Sequence, residues 1–481
     1  MICPIRIAVH VCVAVSLIFS MARAESENVA QPNVLFIYLD DFGWKDTGYM
    51  GSDFFETPNL DRLASEGMVF TDAYSCAANC APARACLLSG QYTPRHRIFN
   101  VGTGPRGKAK YRRLKHVPGV DVLDPKIKTW AKCIQESGYV TATMGKWHLS
   151  DDPRPYGFDV NIGGTRSGSP PRGYYPPHNA PGLKHAPAGE YLTDRLSNEA
   201  VEFIETNRGK PWLLYLTHFA VHTPLHAKRE LVEKYRSKSP GQLHRNVAMA
   251  TMIESVDAGV GRIVEALHRL NLTDRTIVIF YSDNGGYGGA TDMAPLQGYK
   301  GTYYEGGIRV PFFVKWNGVV APGTKCAEPI TGVDLYPTLC EMTGSKQPDN
   351  QTADGKSLVS LLKQEVQTFG ERPIFWHFPA YLQGNRMPNF ESRDRLFRTR
   401  PCSVIRDGEW KLHHFYEDDA VELYNLRTDV GESKNVAALE KDTTVKLLGK
   451  LNQWRQQTNA SEPTERNPKF DAVAEQTARQ P

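Results

Sequence analysis

Three short runs of the chain are continuously apolar and are bounded by polar turns: Asn33–Leu39, residues 212–216 and residues 276–281. Runs of this length are typical of strands that are buried on both faces of a parallel sheet. Between them, apolar positions recur with helical spacing at residues 59–66, 129–137, 193–206 and 246–270. The alternation predicts an α/β fold, a large mixed, mostly parallel sheet flanked by helices.

Polar residues follow each of the three runs directly: Asp40 and Asp41, then His218 and His222, then Asp283 and Asn284. In open parallel sheets, ligands bind at the carboxyl ends of the strands. We therefore expect segments that lie far apart in the chain to converge on one site at this edge of the sheet.

The pattern changes after residue 370. Short β-like stretches at residues 373–378, 403–405, 410–415 and 421–424 are separated by turn signals such as Asp407-Gly408. These stretches predict an α/β catalytic domain at residues 25–370 and an α+β subdomain at 371–457, with a small antiparallel sheet and a helix at 435–455. The polar, proline-containing tail at residues 458–481 is predicted to be disordered.

The first 24 residues read as a signal peptide. Arg6 precedes an apolar run at residues 7–19, and Ala22-Arg23-Ala24 has the small-x-small pattern of a cleavage site. The run is shorter than the roughly 20 residues that span a bilayer. We expect an exported protein, periplasmic or secreted, without stable membrane insertion after cleavage.

Composition changes this picture little. Apolar residues make up 41% and charged residues 23% of the chain, which excludes a disordered or membrane-embedded protein. The formal charge of +4 falls by two when Arg6 and Arg23 are removed, and this gives nucleic-acid binding no support. Basic stretches at residues 106–115 and 393–400 are either solvated loops or a rim that attracts an anionic substrate.

Seven cysteines remain after Cys3 and Cys12 are removed with the signal peptide: Cys76, Cys80, Cys86, Cys133, Cys326, Cys340 and Cys402. An odd number in an oxidising compartment calls for an explanation. If one cysteine serves chemistry, six others are left that could pair or stay buried.

The segment Cys80-Ala81-Pro82-Ala83-Arg84, followed by Leu87-Leu88-Ser89-Gly90, resembles the signature of the formylglycine-dependent sulfatases, arylsulfatase-like enzymes of the alkaline phosphatase superfamily. Read alone, Cys80 is more simply a buried or disulfide-bonded thiol. The resemblance implies that a maturation enzyme oxidises Cys80 to formylglycine, whose hydrated aldehyde attacks sulfur, and that Arg84 holds this group in place.

Further segments resemble the same family. Residues 138–148 end in Gly-Lys-Trp-His, where Lys146 and His148 could face one side of an extended segment and reach a sulfate and its ester oxygen. His222 in His-Thr-Pro and Lys300 in Gly-Tyr-Lys-Gly imply a sulfate-contacting pair. Read alone, both are solvated loop residues, and His218 is a structural histidine.

The acidic pairs indicate a metal. Asp40, Asp41, Asp283 and Asn284 are hard oxygen ligands without a neighbouring His or Cys, a set that fits one Ca²⁺ or, less well, Mg²⁺, and not Zn²⁺. An Asp-Asp pair alone is more often a turn or helix cap. Two such clusters favour a cation, which leaves room for the group at Cys80 as a further ligand.

The resemblance implies a sulfuric ester hydrolase. Lys146, Lys300 and Arg84 would stabilise charge on sulfuryl oxygens, Asp283 would act as base, His222 or Lys300 would protonate the leaving alcohol, and His148 would accept the proton that lets sulfate leave. We expect an anionic carbohydrate as substrate, with a sulfated galactan as one option, contacted by loops at 106–126, 163–184 and 378–400, including Arg172 and His178. The alternatives are a phosphonate or phosphodiester hydrolase of the same superfamily and an inactive sulfoglycan-binding protein.

Overall fold

The computed structural model describes residues 31–183, 186–384, 393 and 395–479. The predicted signal peptide lies outside these residues. Among the described residues, no helix has the length and apolar character that crossing a membrane requires.

The chain folds around one large sheet. Its strands and two short additional ones are β1 (Asn33–Leu39), β2 (Met68–Phe70), β3 (Ala73–Tyr74), β4 (Val140–Gly145), β5 (Val160–Ile162), β6 (Trp212–Thr217), β7 (Thr276–Ser282), β8 (Phe312–Lys315), β9 (Thr324–Cys326) and β10 (Ile330–Thr331). Eight of them form the sheet in the order β5-β4-β6-β1-β7-β8-β2-β9. Pairing is parallel from β5 to β7, and β8 is antiparallel to both neighbours, so the predicted mixed, mostly parallel sheet is confirmed.

Helices cover both faces of this sheet. In chain order they are α1 (Pro58–Ser65), α2 (Cys80–Ser89), α3 (Thr93–His96), α4 (Trp130–Glu136), α5 (Leu192–Thr206), α6 (Val232–Ser237), α7 (Val247–Arg269), α8 (Glu305–Ile308), α9 (Leu335–Thr343) and α10 (Val359–Leu362). Alternate residues of β1 point to opposite faces: Phe36 and Tyr38 join one core cluster, while Leu35 and Ile37 join the other. Burial on both faces explains why the strand sequences are continuously apolar.

The C-terminal part forms a second sheet. Its strands are β11 (Ile374–Phe378), β14 (Cys402–Asp407), β15 (Trp410–Phe415) and β16 (Ala420–Asn425), antiparallel in that order, with β12 (Leu382–Gln383) and β13 (Phe397–Thr399) as a separate pair. Helix α11 (Lys441–Gln457) packs on it and begins six residues later than predicted. The delay has a local cause, because the Asn435 side chain accepts from the N–H groups of Leu423 and Ala437 and holds this segment in a turn.

The tail departs from the predicted disorder. Residues 458–479 are described, and α12 (Ala472–Arg479) ends them. Glu475 is buried and pairs with Arg113 at 3.0 Å and Arg400 at 2.8 Å, while Lys115 pairs with Glu465. Composition alone predicts disorder because it takes no account of another part of the chain on which the tail can pack. Here the basic stretch at 106–115 supplies that surface, so much of this stretch binds the chain's own tail.

Candidate active site

Four parallel strands bring the predicted site together because their ends lie level with one another. Gly145 at the end of β4 pairs with Thr217 in β6, and Leu39 in β1 pairs with Ser282 in β7. Gly145 has φ of 109°, and a Cβ there would lie 2.0 Å from the Thr217 carbonyl oxygen. A glycine therefore allows the close approach in which Lys146 N donates to that oxygen at 2.6 Å.

Cys80 is the first residue of α2, which is buried along its whole length. Gly90 ends the helix with φ of 68° and donates its N–H to the Cys86 carbonyl. The Cys80 thiol lies 3.3 Å from Asp40 Oδ1. Burial, reinforced by the neighbouring Asp40, raises the pKa of the Cys80 thiol to about 12, so the unmodified side chain is the donor in this contact.

Arg84 lies one turn further along α2 and is fully buried. Its Nε and Nη2 donate to Asp283 Oδ2 at 3.1 and 3.0 Å, and Nη1 donates to the Lys146 carbonyl and to Thr217 Oγ1. These four bonds tie the Cys80 helix to three strand ends. These contacts support the predicted role of Arg84 in holding the group at position 80 in place, and its contact with sulfuryl oxygens stays a prediction.

Two lysines face the acidic cluster. Lys146 Nζ lies 2.5 Å from Asp40 Oδ2, and Lys300 Nζ lies 2.6 and 2.8 Å from the two oxygens of Asp41. Burial alone would raise the pKa of Asp40, but Lys146, His222 and Lys300 hold it well below its usual range. Both lysines are positioned to act on an anion beside the cluster as fixed cations.

The donor set fits a hard divalent cation. Ligand atoms of Asp40, Asp41, Cys80 and Asp283 all lie within 4.8 Å of one another. Asn284 Nδ2 donates to Asp41 Oδ1 at 2.8 Å, whereas its buried Oδ1 has no hydrogen-bond partner among the described residues. Three buried carboxylates and an unpartnered carbonyl oxygen are the ligands that Ca²⁺ and Mg²⁺ prefer.

The two histidines lie at different depths. His148 is 8% exposed, has φ of 71° and packs against Gly168, so it does not continue an extended segment as the sequence suggested. Burial, with Lys146 and Arg84 nearby, lowers its pKa well below the usual value. The His222 side chain is 19% exposed, and its Nε2 lies 4.0 Å from Asp41 Oδ2.

The sulfatase family model matches residues 32–345, which carry every one of these side chains, and the model described as N-sulphoglucosamine sulphohydrolase, C-terminal, matches residues 299–457. The chain belongs to the sulfatase family. It is 31% identical to a sulfatase of Formosa agariphila over 93% of this chain and 92% of that protein. It is 28% identical to mouse steryl-sulfatase over 84% of this chain and 78% of that protein.

Solved structures agree on the fold. The crystal structure of Ps i-CgsB in complex with k-i-k-neocarrahexaose has a TM-score of 0.73 and 29% identity, covering 93% of this chain and 96% of that chain. Together with the named relatives, this likeness shows that the chain is a sulfatase enzyme. It also shows the expected architecture of a large sheet with a small C-terminal antiparallel sheet.

The structure brings all ten predicted site residues of this sulfatase into one region. Two other histidines singled out in the sequence are also buried: His218 lies near Asp194, in keeping with a structural role, and His178 lies beside Glu190, so that its contact with substrate stays a prediction. Sequence reasoning missed Thr217, which accepts from Arg84. A threonine at a strand end carries no signal that separates it from any other buried threonine.

Proposed function

We propose that this sulfatase removes sulfate from an anionic carbohydrate, a sulfated galactan, through a formylglycine derived from Cys80. The observation that carries the proposal is the convergence of Cys80, the Asp40-Asp41 pair, Asp283 and the unpartnered Asn284 oxygen with two lysines. Such an arrangement compensates several negative charges at one point, as sulfuryl transfer requires.

Asp40, Asp41, Asp283 and Asn284 would hold one Ca²⁺. A bound cation would supply charge neutralisation for sulfuryl oxygens and for the group at position 80. Asp283 serves this role better than the role of base, because Arg84 engages its Oδ2 with two N–H groups and the Asp41 N–H engages its Oδ1.

At position 80, formylglycine would supply the two hydroxyls of a hydrated aldehyde, one to attack sulfur and one to lose the proton that allows sulfate to leave. Arg84 holds α2 so that this position faces Asp40. Lys146, which is fully buried, donates to the sulfuryl oxygens from the interior side. His148 accepts the proton at its buried Nδ1, which has no hydrogen-bond partner among the described residues.

The leaving alcohol lies towards solvent, because a sugar chain cannot fit in the buried interior. The side chains of His222 and Lys300 are 19% and 13% exposed, whereas those of Lys146 and Asp40 are fully buried. His222 Nδ1 contacts the Thr223 carbonyl at 2.7 Å, which leaves Nε2 towards the cluster. We assign protonation of the alcohol to His222, since Lys300 is held as a cation by both Asp41 oxygens.

A carbohydrate substrate is supported by what surrounds the exposed side. Arg398 donates to the Lys300 carbonyl at 2.9 Å, so one member of the 393–400 basic stretch borders the opening. The Gly168 backbone, in the predicted substrate loop, packs against the His148 ring. The similar Ps i-CgsB was solved with k-i-k-neocarrahexaose bound, which supports a sugar chain as substrate.

The first test asks whether Cys80 is converted. Protein co-produced with a formylglycine-generating enzyme is digested, and the peptide that contains residue 80 is analysed by mass spectrometry with fragmentation. We expect the mass of the aldehyde at position 80 and the thiol mass at Cys76 in the same peptide. Full activity with an intact thiol at position 80 would contradict the mechanism, and Cys80→Ala should be inactive in the same preparation.

The second test concerns the substrate. Matured enzyme is assayed on sulfated galactan oligosaccharides, other sulfated sugars, a small aryl sulfate and a phosphonate monoester. We expect Arg398→Gln to raise KM for the oligosaccharides and to leave the aryl sulfate unaffected, with the exposed Arg395→Gln as matched control. Faster turnover of the phosphonate would favour the phosphonate hydrolase, and sugar binding without turnover by converted enzyme would favour a binding protein.

A further inference from the structure

Two cysteines outside the active site lie between neighbouring helices. Cys133 is on α4, and its Sγ lies 3.3 Å from the hydroxyl of Tyr336 on α9. Cys340 follows Tyr336 by four residues on α9 and therefore lies on the same side of the helix. All three side chains belong to one buried cluster, and the Cys340 thiol contacts the Cys133 thiol.

The contact has chemical consequences for the two thiols. Interaction with Cys340 lowers the pKa of Cys133 to about 7, against the opposing effect of burial. The same interaction, together with burial, raises the pKa of Cys340. The interaction therefore favours the thiolate of Cys133, and a thiolate is the form that attacks a disulfide.

We propose that Cys133 and Cys340 form a disulfide bond when the chain folds in an oxidising compartment. The thiolate of Cys133 attacks a protein or small-molecule disulfide, releases one thiol and forms a mixed disulfide. The Cys340 thiol, losing its proton, then displaces the second thiol, so that one S–S bond forms in the protein and one disulfide of the oxidant is reduced to two thiols.

A second thiol contact provides a comparison. Cys86 contacts Cys76, but its Sγ also lies 3.2 Å from His96 Nε2, and Cys76 Sγ lies 3.4 Å from Thr331 Oγ1. Burial and the Cys76 contact raise the pKa of Cys86 well above its usual value. Cys86 is itself a residue of α2, and both thiols of this pair lie inside the core, where each also contacts a histidine or threonine side chain.

The position of the bond gives it a structural effect. Helices α4 and α9 contact each other, and both contact α2, whose first residue is Cys80. A bond between them ties together two neighbours of the catalytic helix and closes a loop of about 200 residues in the unfolded chain. It also removes a reactive thiol that could pair wrongly with Cys80 before conversion.

The test uses the full chain, folded once in a glutathione redox buffer and once in excess reductant. After denaturation and alkylation, cleavage before aspartate yields residues 124–150 and 334–348, each with a single cysteine. We expect the oxidised sample to contain these two peptides linked, lighter than their sum by two hydrogens, and reductant to separate them. Recovery of both peptides alkylated and unlinked from the oxidised sample would overturn the proposal.

Two variants control the assignment. Cys326→Ser removes another buried cysteine and should leave the linked peptide in place, whereas Cys340→Ser should release Cys133 for alkylation. The oxidised wild-type protein should melt about 5 °C above the reduced protein, and Cys340→Ser should lose this difference. A link that joins Cys133 to Cys326 instead would also overturn the proposal.

Discussion

Arg84 offers the sharpest test of how the site is held together. Its guanidinium and the Asp283 carboxylate are both fully buried, and Arg84→Met removes the charge while it keeps much of the side-chain volume. Thr217 Oγ1 still donates to the Lys146 carbonyl at 2.8 Å after the change. The change therefore mainly affects the Asp283 carboxylate. Of the hydrogen bonds described above, this carboxylate keeps only the one from the Asp41 N–H, at 3.2 Å.

Removing one partner of a buried ion pair typically costs about 3–5 kcal/mol, because the other charge stays buried without compensation. Total stabilities of proteins are about 5–15 kcal/mol, so Arg84→Met should lower the urea midpoint strongly. Burial and the nearby Asp40 already raise the pKa of Asp283 to about 7. A protonated Asp283 loses less, and the destabilisation should therefore be larger at about pH 8 than at about pH 6.

The assay is urea unfolding of the unconverted protein, in which residue 80 is still a cysteine, in the presence of a chelator. Tryptophan fluorescence monitors the unfolding. Arg84→Lys, which keeps the charge but not the guanidinium geometry, should fall between wild type and Arg84→Met. Arg154→Met at an exposed ion pair should leave the midpoint unchanged. Unfolding of Arg84→Met at the same urea concentration as wild type, at both pH values, would refute this role of Arg84.

The remaining predictions concern other buried charges, the tail, acid and the cation. Lys411→Met leaves two fully buried carboxylates, Glu305 and Glu432, without their shared partner, and should lower the free energy of unfolding in urea by about 3–5 kcal/mol. Lys363→Met, at an exposed ion pair, should leave the free energy of unfolding unchanged. Glu475→Gln removes the buried anchor of the tail and should speed proteolysis after residue 458, and unchanged cleavage would refute the docking. Burial lowers the pKa of three histidines to about 3: His96, His218 and His377. Between about pH 6.5 and pH 3 the unfolded chain therefore binds more protons than the folded protein. As the pH is lowered through this range, the free energy of unfolding should decrease by about 1.4 kcal/mol per pH unit for each of these histidines. Removal of the cation with a chelator should abolish activity and lower Tm. Ca²⁺ at 100 times the Kd of the wild-type protein should restore about 2.7 kcal/mol of the wild-type free energy of unfolding, and the same concentration should restore less in Asn284→Ala.

Much of the fold could be predicted because the central strands are buried on both faces. The run Asn33–Leu39 has the same bounds as strand β1, since every residue in it must be apolar or hydrogen-bonded internally. Short strands such as Met68–Phe70 escaped prediction because three residues carry too little periodicity. The tail escaped because its order depends on ion pairs with Arg113 and Arg400, which lie far away in the chain.

The site shows the same limit at finer scale. Cys80, Lys146 and the acidic pairs could be found because their chemistry restricts the residue type at each position. The contacts that orient these side chains are partly hydrogen bonds to backbone carbonyls, which any residue would supply. Arg84 donates to the Lys146 carbonyl, and the Lys146 N–H donates to the Thr217 carbonyl. Backbone acceptors leave no trace in a sequence except where a side chain would block them, as at Gly145. For this reason the reacting groups could be predicted from the sequence, whereas the contacts through which Arg84 supports Asp283 required the structure.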